Sequence, residues 1–404
     1  MLKKLLFPAI LAALAAYLFF NAYTQRSVAS FLWAFSVALI AIAVLTSFLR
    51  NTIITTISIV VTLAIAETAL GYLPALIAKK PDSGINTAKD KTVFAYFDSA
   101  QTYNTPAYWH LGEFGSQPKP GIFTAKKVAS NGDVLYDTIF TIGPDGFRVT
   151  PKYGEKQSHR INFLGDSFTF GEGVADNQTM AYYVGDLVNK QGVSKLNPLQ
   201  VKNYGIHGWG IHQSLAILQS KLDSQANVDF VLTAPWHASR AACADFFTLG
   251  SPKYKLEESG LVKRDGYCRS FGWVEHSPKV LRGLITSSKV FNLIQDSLLV
   301  VNDQDKQIQL YLGVLRTIQQ EVKQRGEQLV VGFIKADDAW FVGSYNNDKI
   351  LAELKKSGIQ VIDMTLADKN ENLNPKFYVH ELDKHPSGLG NLERSKLLVE
   401  ALDK

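Results

Sequence analysis

Cysteine is all but missing from this chain: Cys243 and Cys268 are the two among 404 residues. Two are too few for a disulfide scaffold. Sequence leaves open whether they form one bridge, in an oxidising compartment, or remain two buried thiols. An excess of charge is missing as well. The formal net charge is only +5, and the basic residues are scattered, which argues against electrostatic binding to nucleic acid. No His-x-x-x-His pair occurs and the two cysteines lie far apart, so a zinc site is disfavoured. Nothing points to a metal or an organic cofactor. Internal repeats and low-complexity tracts are absent too, which leaves room for one large domain or two ordinary ones.

Long apolar runs, in contrast, crowd the amino end. Leu5 to Phe20, Phe31 to Leu49 and Ile53 to about Ile77 are each almost uninterrupted. A membrane span needs roughly 20 apolar residues, so residues 1–80 are expected to be an anchor of three transmembrane helices. A cleaved signal peptide is the alternative for the first run, since Lys3 and Lys4 precede it. The threonines and serines fit, because their hydroxyls can bond back to carbonyls of the same helix. Glu67 is costly in lipid and needs a partner or a place near the interface. Lys3 and Lys4 against a lone Arg26 favour a cytoplasmic start, although Lys79-Lys80 argues the other way. Three crossings then place the rest outside the cytoplasm, as in a multi-pass protein of the bacterial inner-membrane type.

Residues 81–150 read as a linker and a strand-rich extension. Pro81 to Lys91 is polar and rich in turn formers. Beyond it come Phe94, Tyr96, Phe97, Tyr103, Tyr108, Trp109, Phe114 and Phe123, expected to pack in a core. Tyr136 to Ile142 alternates like a half-buried strand, and Gly143-Pro144-Asp145-Gly146 is a turn.

Residues 151–404 form an α/β pattern. Strands are predicted at Ile161–Leu164, Val201–Tyr204, Val228–Thr233, Gln328–Ile334 and Ile359–Asp363. Helices are predicted at about Thr179–Lys190, Ile211–Ser224, Lys279–Leu299, Lys306–Arg325, Asp348–Lys356 and Ser387–Leu402. Buried strands separated by helices imply a parallel sheet of about five strands, covered on both faces. Functional residues of such sheets gather at the carboxyl ends of the strands. Residues 235–305 exceed a normal connection and are expected to be an insertion near that rim.

The first strand ends in Gly165-Asp166-Ser167-Phe168, a turn that can expose a serine and aim its N–H at a bound oxygen. Asp166 reads as an acceptor that stabilises the turn. Near the other end, Asp383-Lys384-His385-Pro386 supplies a base and an acid to orient it. The loop Asn203 to Gly210 contributes Gly208, whose backbone can approach a ligand. After the third strand come Trp236, His237 and Arg240. His207 and His212 are expected on the loop and helix surface.

Gly165-Asp166-Ser167-Phe168 resembles the first block of the SGNH (GDSL-like) hydrolase superfamily. Gly208 sits where that family's second-block glycine donates to an oxyanion, and Asp383-Lys384-His385-Pro386 resembles its terminal block. The resemblance covers about residues 158–404. With Gly146-Phe147-Arg148 ahead of the serine block, it extends to membrane-anchored proteins resembling the periplasmic parts of polysaccharide O-acetylation systems. It implies a flavodoxin-like sheet and ester chemistry: Ser167 as nucleophile, His385 as base, Asp383 as orienting acid, and the amides of Ser167 and Gly208 at the oxyanion. The implied substrate is an acyl or acetyl ester, of an envelope carbohydrate handled with partner machinery, cleaved by water or transferred to a sugar.

One departure stands out. The family's third block places an asparagine donor where this chain has Trp236-His237-Ala238-Ser239-Arg240. His237 falls closest, with an N–H able to donate in its place, and Arg240 or Trp236 can contact substrate. The departure also motivates a second expectation, a catalytically silent binding or assembly module. Proximity to a bilayer motivates a third, a lipid-directed esterase.

Overall fold

A computed structural model describes most of residues 108–153, 159–191, 194–220, 226–268, 303–335, 345–369 and 374–404, with Arg50–Ile77, Phe94–Tyr96 and shorter pieces of the remainder. The chain divides into two compact units: Met1–Asn86 with Arg269–Leu299, and Thr87–Cys268 with Val300–Lys404.

In the first unit, helix α1 (Arg50–Ile77) coincides with the third apolar run. The first two runs lie largely outside the described residues, as does most of the helix expected at 279–299. Among the described residues, no helix is long and apolar enough to cross a membrane. Thr62 and Thr68 donate their hydroxyls to the carbonyls of Ser58 and Ala64, at 2.8 and 2.7 Å, and Ser36 does the same to Leu32 at 2.8 Å. Such bonds keep each hydroxyl paired within its own helix. Glu67 is buried, and its partner is the start of a helical turn in the excursion 269–299. The carboxylate accepts from Lys289 N–H at 2.6 Å, Val290 N–H at 3.0 Å and the Ser288 hydroxyl at 3.0 Å. The first N–H groups of a helix have no carbonyl of their own, so a carboxylate satisfies both sides.

The second unit opens with an antiparallel sheet. It contains β1 (Phe94–Tyr96), β4 (Gly121–Ala129) and β5 (Val134–Ile142), with a separate hairpin of β2 (Trp109–Gly112) and β3 (Gly115–Pro118). Phe123 and Phe140 pair across β4 and β5. They share a core with Tyr108, Ile142 and Phe170, so the expected aromatic packing holds for Tyr108, Phe123 and, in a neighbouring core, Phe114.

The main sheet is parallel and five-stranded: β6 (His159–Leu164), β7 (Leu199–Asn203), β8 (Val228–Thr233), β11 (Gln328–Phe333) and β12 (Gln360–Asp363). The antiparallel hairpin β9 (Pro252–Leu256) and β10 (Val262–Tyr267) stands apart. All five predicted strands are present. Their spatial order, β12-β11-β8-β6-β7, is the flavodoxin-like arrangement, which reverses between the first and third strands.

Period-two alternation sorts the core. Ile161, Phe163, Phe230 and Leu232 face α3 (Met180–Gln191) and α8 (Gly388–Asp403). Leu164 and Val231 face α4 (Ile211–Ser220), α6 (Gln304–Gln324) and α7 (Asn347–Lys356). Two short elements complete the unit: α2 (Ser167–Phe170) at the reversal point and α5 (His237–Ala241) after β8. Finally, β13 (Tyr378–His380) and β14 (Asp383–Pro386) form a small hairpin ahead of α8, whose cap is Ser387.

A disulfide joins Cys243 to Cys268, which resolves the alternative left open by sequence. The long connection is therefore shared: α5 and the β9–β10 hairpin stay with the larger unit, and Arg269–Leu299 belongs to the other.

Candidate active site

The nucleophile turn is built from its neighbours. Gly165 leaves no room for a side chain, because a Cβ there would lie 2.8 Å from the carbonyl oxygen of Leu232. Asp166 caps α2, Oδ1 accepting from Phe168 N–H at 3.0 Å, as expected of a turn-stabilising acceptor. Ser167 is the first residue of this turn, whose carboxyl end is closed by the buried Arg148. The guanidinium donates to the carbonyls of Gly171 and Val174 at 2.6 Å each and of Phe170 at 3.2 Å, and Nε donates to Asp176 at 2.9 Å. Arg148 also lies over the rings of Phe140 and Phe170. That accounts for the arginine of Gly146-Phe147-Arg148: it satisfies carbonyls that a one-turn helix cannot.

The histidine and acid arrive on β14. Residues two apart on a strand share a face, so Asp383 and His385 point the same way. The Ser167 hydroxyl lies 2.9 Å from His385 Nε2, and His385 Nδ1 lies 2.6 Å from Asp383 Oδ1. With Nδ1–H donating to Asp383, Nε2 is left to accept the Ser167 proton. The structure thus brings together the serine, histidine and aspartate singled out in the sequence.

A buried polar cluster surrounds them. Lys127, from β4, donates to Asp383 Oδ2 at 2.8 Å. Glu172 receives the Tyr136 hydroxyl at 3.1 Å on Oε1. Its Oε2 binds His207 Nδ1 at 2.9 Å and stands 3.5 Å from His385 Nε2. His207 Nε2 in turn meets the Tyr108 hydroxyl at 3.2 Å. Burial works to raise the pKa of both Asp383 and Glu172. His385 and Lys127, joined at Glu172 by His207, outweigh it, holding Asp383 well below the usual carboxylate range and Glu172 at about 2. Burial lowers the pKa of His207 despite Glu172. For His385 burial also acts downward, but Glu172 and Asp383 prevail and raise it.

Sequence reasoning missed Lys127, Glu172 and Tyr136. Glu172 had a visible signal: a carboxylate directly after the glycine that ends the nucleophile turn. Lys127, in an alternating strand, had none.

Two expectations are corrected. His237 does not offer its N–H to an oxyanion: it is buried, with Nε2 3.0 Å from Asp166 Oδ2 and Nδ1 3.1 Å from the Thr233 hydroxyl. Trp236 and Arg240, expected to contact substrate, donate to the same Asp166 oxygen at 2.9 Å each. Burial would raise the pKa of Asp166, but His237, Arg240 and Trp236 hold it far down. His207 and His212 are not on the surface. Both are buried, and His212 Nε2 lies 3.0 Å from the Ser251 hydroxyl.

Gly208 adopts a left-handed conformation (φ +71°). Its loop is fastened to the nucleophile turn by the Ile206 N–H on the Gly165 carbonyl at 3.3 Å and by Asn203 on the Thr169 carbonyl at 3.0 Å. Donor atoms of Glu172, Asp383 and His385 lie within 4.8 Å of one another, as a metal would require. The cation standing among those carboxylates is the Lys127 ammonium, 2.8 Å from Asp383 and 4.0 Å from Glu172.

No protein-family model and no curated protein matches this chain. Solved structures similar to it include a member of the lipolytic protein G-D-S-L family from Veillonella parvula. That match has 11% identity and a TM-score of 0.34, covering 60% of this chain and 97% of that one. A lipase/acylhydrolase from Enterococcus faecalis matches at 13% identity and 0.34, over 61% and 95% of the two chains. An acetyl xylan esterase matches at 14% identity and 0.35, over 60% and 99%. Likeness this distant carries no residue roles across.

Proposed function

We propose that this protein is an SGNH-type serine ester hydrolase or O-acyltransferase, acting on acyl or acetyl esters of an envelope carbohydrate. The observation that carries the proposal is the hydrogen-bonded chain from the Ser167 hydroxyl through His385 to Asp383. Ser167 Oγ attacks the acyl carbonyl as its proton passes to His385 Nε2. The amides of Ser167 and Gly208 receive the oxyanion. Collapse expels the alcohol, which takes the Nε2 proton, and leaves an acyl-serine. Water then attacks with His385 as base and gives hydrolysis; a sugar hydroxyl in its place gives transfer.

We propose further that the protein is membrane-anchored, with this site outside the cytoplasm. The apolar runs of residues 1–80 support anchoring, as do Ile59, Leu63 and Ile65, which α1 leaves exposed. The disulfide supports an oxidising compartment, where polysaccharide machinery of the envelope would be the partner.

One observation favours a second reading, a catalytically silent binding module. The place of the family's asparagine donor is taken by His237, whose two ring nitrogens are already used. Two experiments separate the readings. In the first, Ser167→Ala abolishes turnover of 4-nitrophenyl acetate and covalent labelling by a fluorophosphonate; equal labelling of variant and parent removes Ser167 as the nucleophile. In the second, an acetylated glycan that binds and is never deacetylated favours the silent module.

A further inference from the structure

His385 stands between two carboxylates. Asp383 holds Nδ1 at 2.6 Å, and Glu172 Oε2 lies 3.5 Å from Nε2, the nitrogen that also meets Ser167. The first of these is not a free negative charge, because the buried Lys127 ammonium sits 2.8 Å from its other oxygen. An adjacent opposite charge in a poorly solvated place cancels much of the field an acid exerts on a third group. Lys127, Asp383 and Glu172 together carry one net negative charge, and because Lys127 lies nearer Asp383 (2.8 Å) than Glu172 (4.0 Å), most of that charge faces His385 from Glu172.

Glu172 cannot swing away. Its N–H is bonded to the Ser167 carbonyl at 3.0 Å, the preceding Gly171 carbonyl is gripped by Arg148, and its two oxygens take Tyr136 and His207. We propose that Glu172 is a positioning carboxylate for His385, restoring at Nε2 the negative charge that Lys127 withdraws from Asp383. This rests on the assignment of Ser167 and His385 as nucleophile and base. When Ser167 loses its proton, the O–H bond breaks and an Nε2–H bond forms. That N–H faces both the reacting oxygen and Glu172, and the proton leaves with the departing alcohol. Glu172 itself stays ionised, because His207 and Lys127 face it.

The remaining groups around the imidazole are Tyr136 on β5, Tyr108 behind His207 and Arg148 at the end of α2, while Lys384 lies over the Tyr378 ring. None of them supplies another negative charge. Burial alone would lower the pKa of His385; Glu172, ahead of Asp383, reverses it. Because Lys127 and Tyr136 belong to β4 and β5, the charge balance of the site is set by the strands that precede the α/β sheet.

The test is the pH dependence of fluorophosphonate labelling in the full-length protein, with ¹⁵N NMR titration of the His385 imidazole. Glu172→Gln is expected to lower the midpoint of the acid limb by about one unit or more, and Lys127→Met to raise it by about as much. The double variant should return close to the parent. The imidazole titration reads the same shifts without turnover. A parent that is never labelled therefore sinks the nucleophile assignment, while the NMR midpoint still judges the charge balance. Unmoved midpoints in Glu172→Gln overturn the inference. Should that variant fail to fold, an unmoved midpoint in Lys127→Met overturns it equally.

Discussion

Oδ2 of Asp166 lies 3.0 Å from Nε2 of His237, and the same oxygen takes the N–H groups of Trp236 and Arg240. One carboxylate oxygen beside Ser167 therefore fastens the start of α5 to the nucleophile turn. Arg240 extends the tie by donating to the Trp209 carbonyl at 2.8 Å, in the loop that carries Gly208. Trp236, His237 and Arg240 thus tie the frame of the site together through Asp166.

Replacing Asp166 by alanine removes the shared acceptor of a buried guanidinium, an imidazole and an indole, leaving Arg240 to Asp245 and the Trp209 carbonyl and His237 to Thr233. The expected cost is about 1.5–3 kcal/mol of unfolding free energy, read from urea denaturation, with loss of labelling at Ser167. Because the folded-state pKa of Asp166 is depressed, its contribution is present above the ordinary aspartate range and disappears only as pH falls well below it. A variant as stable as the parent would show that the three donors find other partners.

Asp383→Asn keeps the shape of the acid but removes the charge that holds His385 in its working tautomer. A drop in kcat of about 10⁴, with little change in KM, is expected with 4-nitrophenyl acetate. An unchanged kcat would mean that Glu172 alone suffices as acid.

A second acid pair lies at the other end of the sheet. Asp229 is fully buried on β8, taking the Asn162 amide at 2.9 Å, and the Glu327 carboxyl is its electrostatic neighbour. Burial, then the neighbouring carboxyl, raises the pKa of Glu327 to about 7, and burial raises that of Asp229. A raised carboxyl pKa means the folded state holds the proton more tightly. The stabilisation is thus complete below the unfolded-state value and fades as pH rises through about 7. Thermal melts should show stability falling between about pH 4 and about pH 8, and Glu327→Gln should flatten that fall. Parallel slopes for the two proteins would place the dependence elsewhere.

Reduction of Cys243–Cys268 frees a loop with a sequence separation of 25. By loop-closure entropy this is expected to cost about 3–4 kcal/mol, and a Cys243→Ser/Cys268→Ser variant should show the same loss. Equal denaturation midpoints with and without reductant would contradict it.

The parts legible in the sequence were those with local signatures. Five runs of strand residues gave five strands, and the Ser167 and Asp383-Lys384-His385 blocks converged because their spacing encodes a turn and a strand face. The misses share a physical cause. Lys127 carries no local signature, and only Asp383, 256 positions later, explains its burial. His207 and His212 looked like surface residues because their partners, Glu172 and Ser251, lie 35 and 39 positions away. His237 matched a donor's position, yet its direction is set by Asp166, 71 positions earlier. Burial of a polar side chain depends on a distant partner, and no periodicity records that.

Cys268 is the last residue of the larger unit before the chain departs at Arg269, and its bridge to Cys243 lies just beyond α5. The bridge therefore ties the end of β10 covalently to the residues that follow α5, the element whose His237 and Arg240 are clasped to Asp166, the neighbour of the serine.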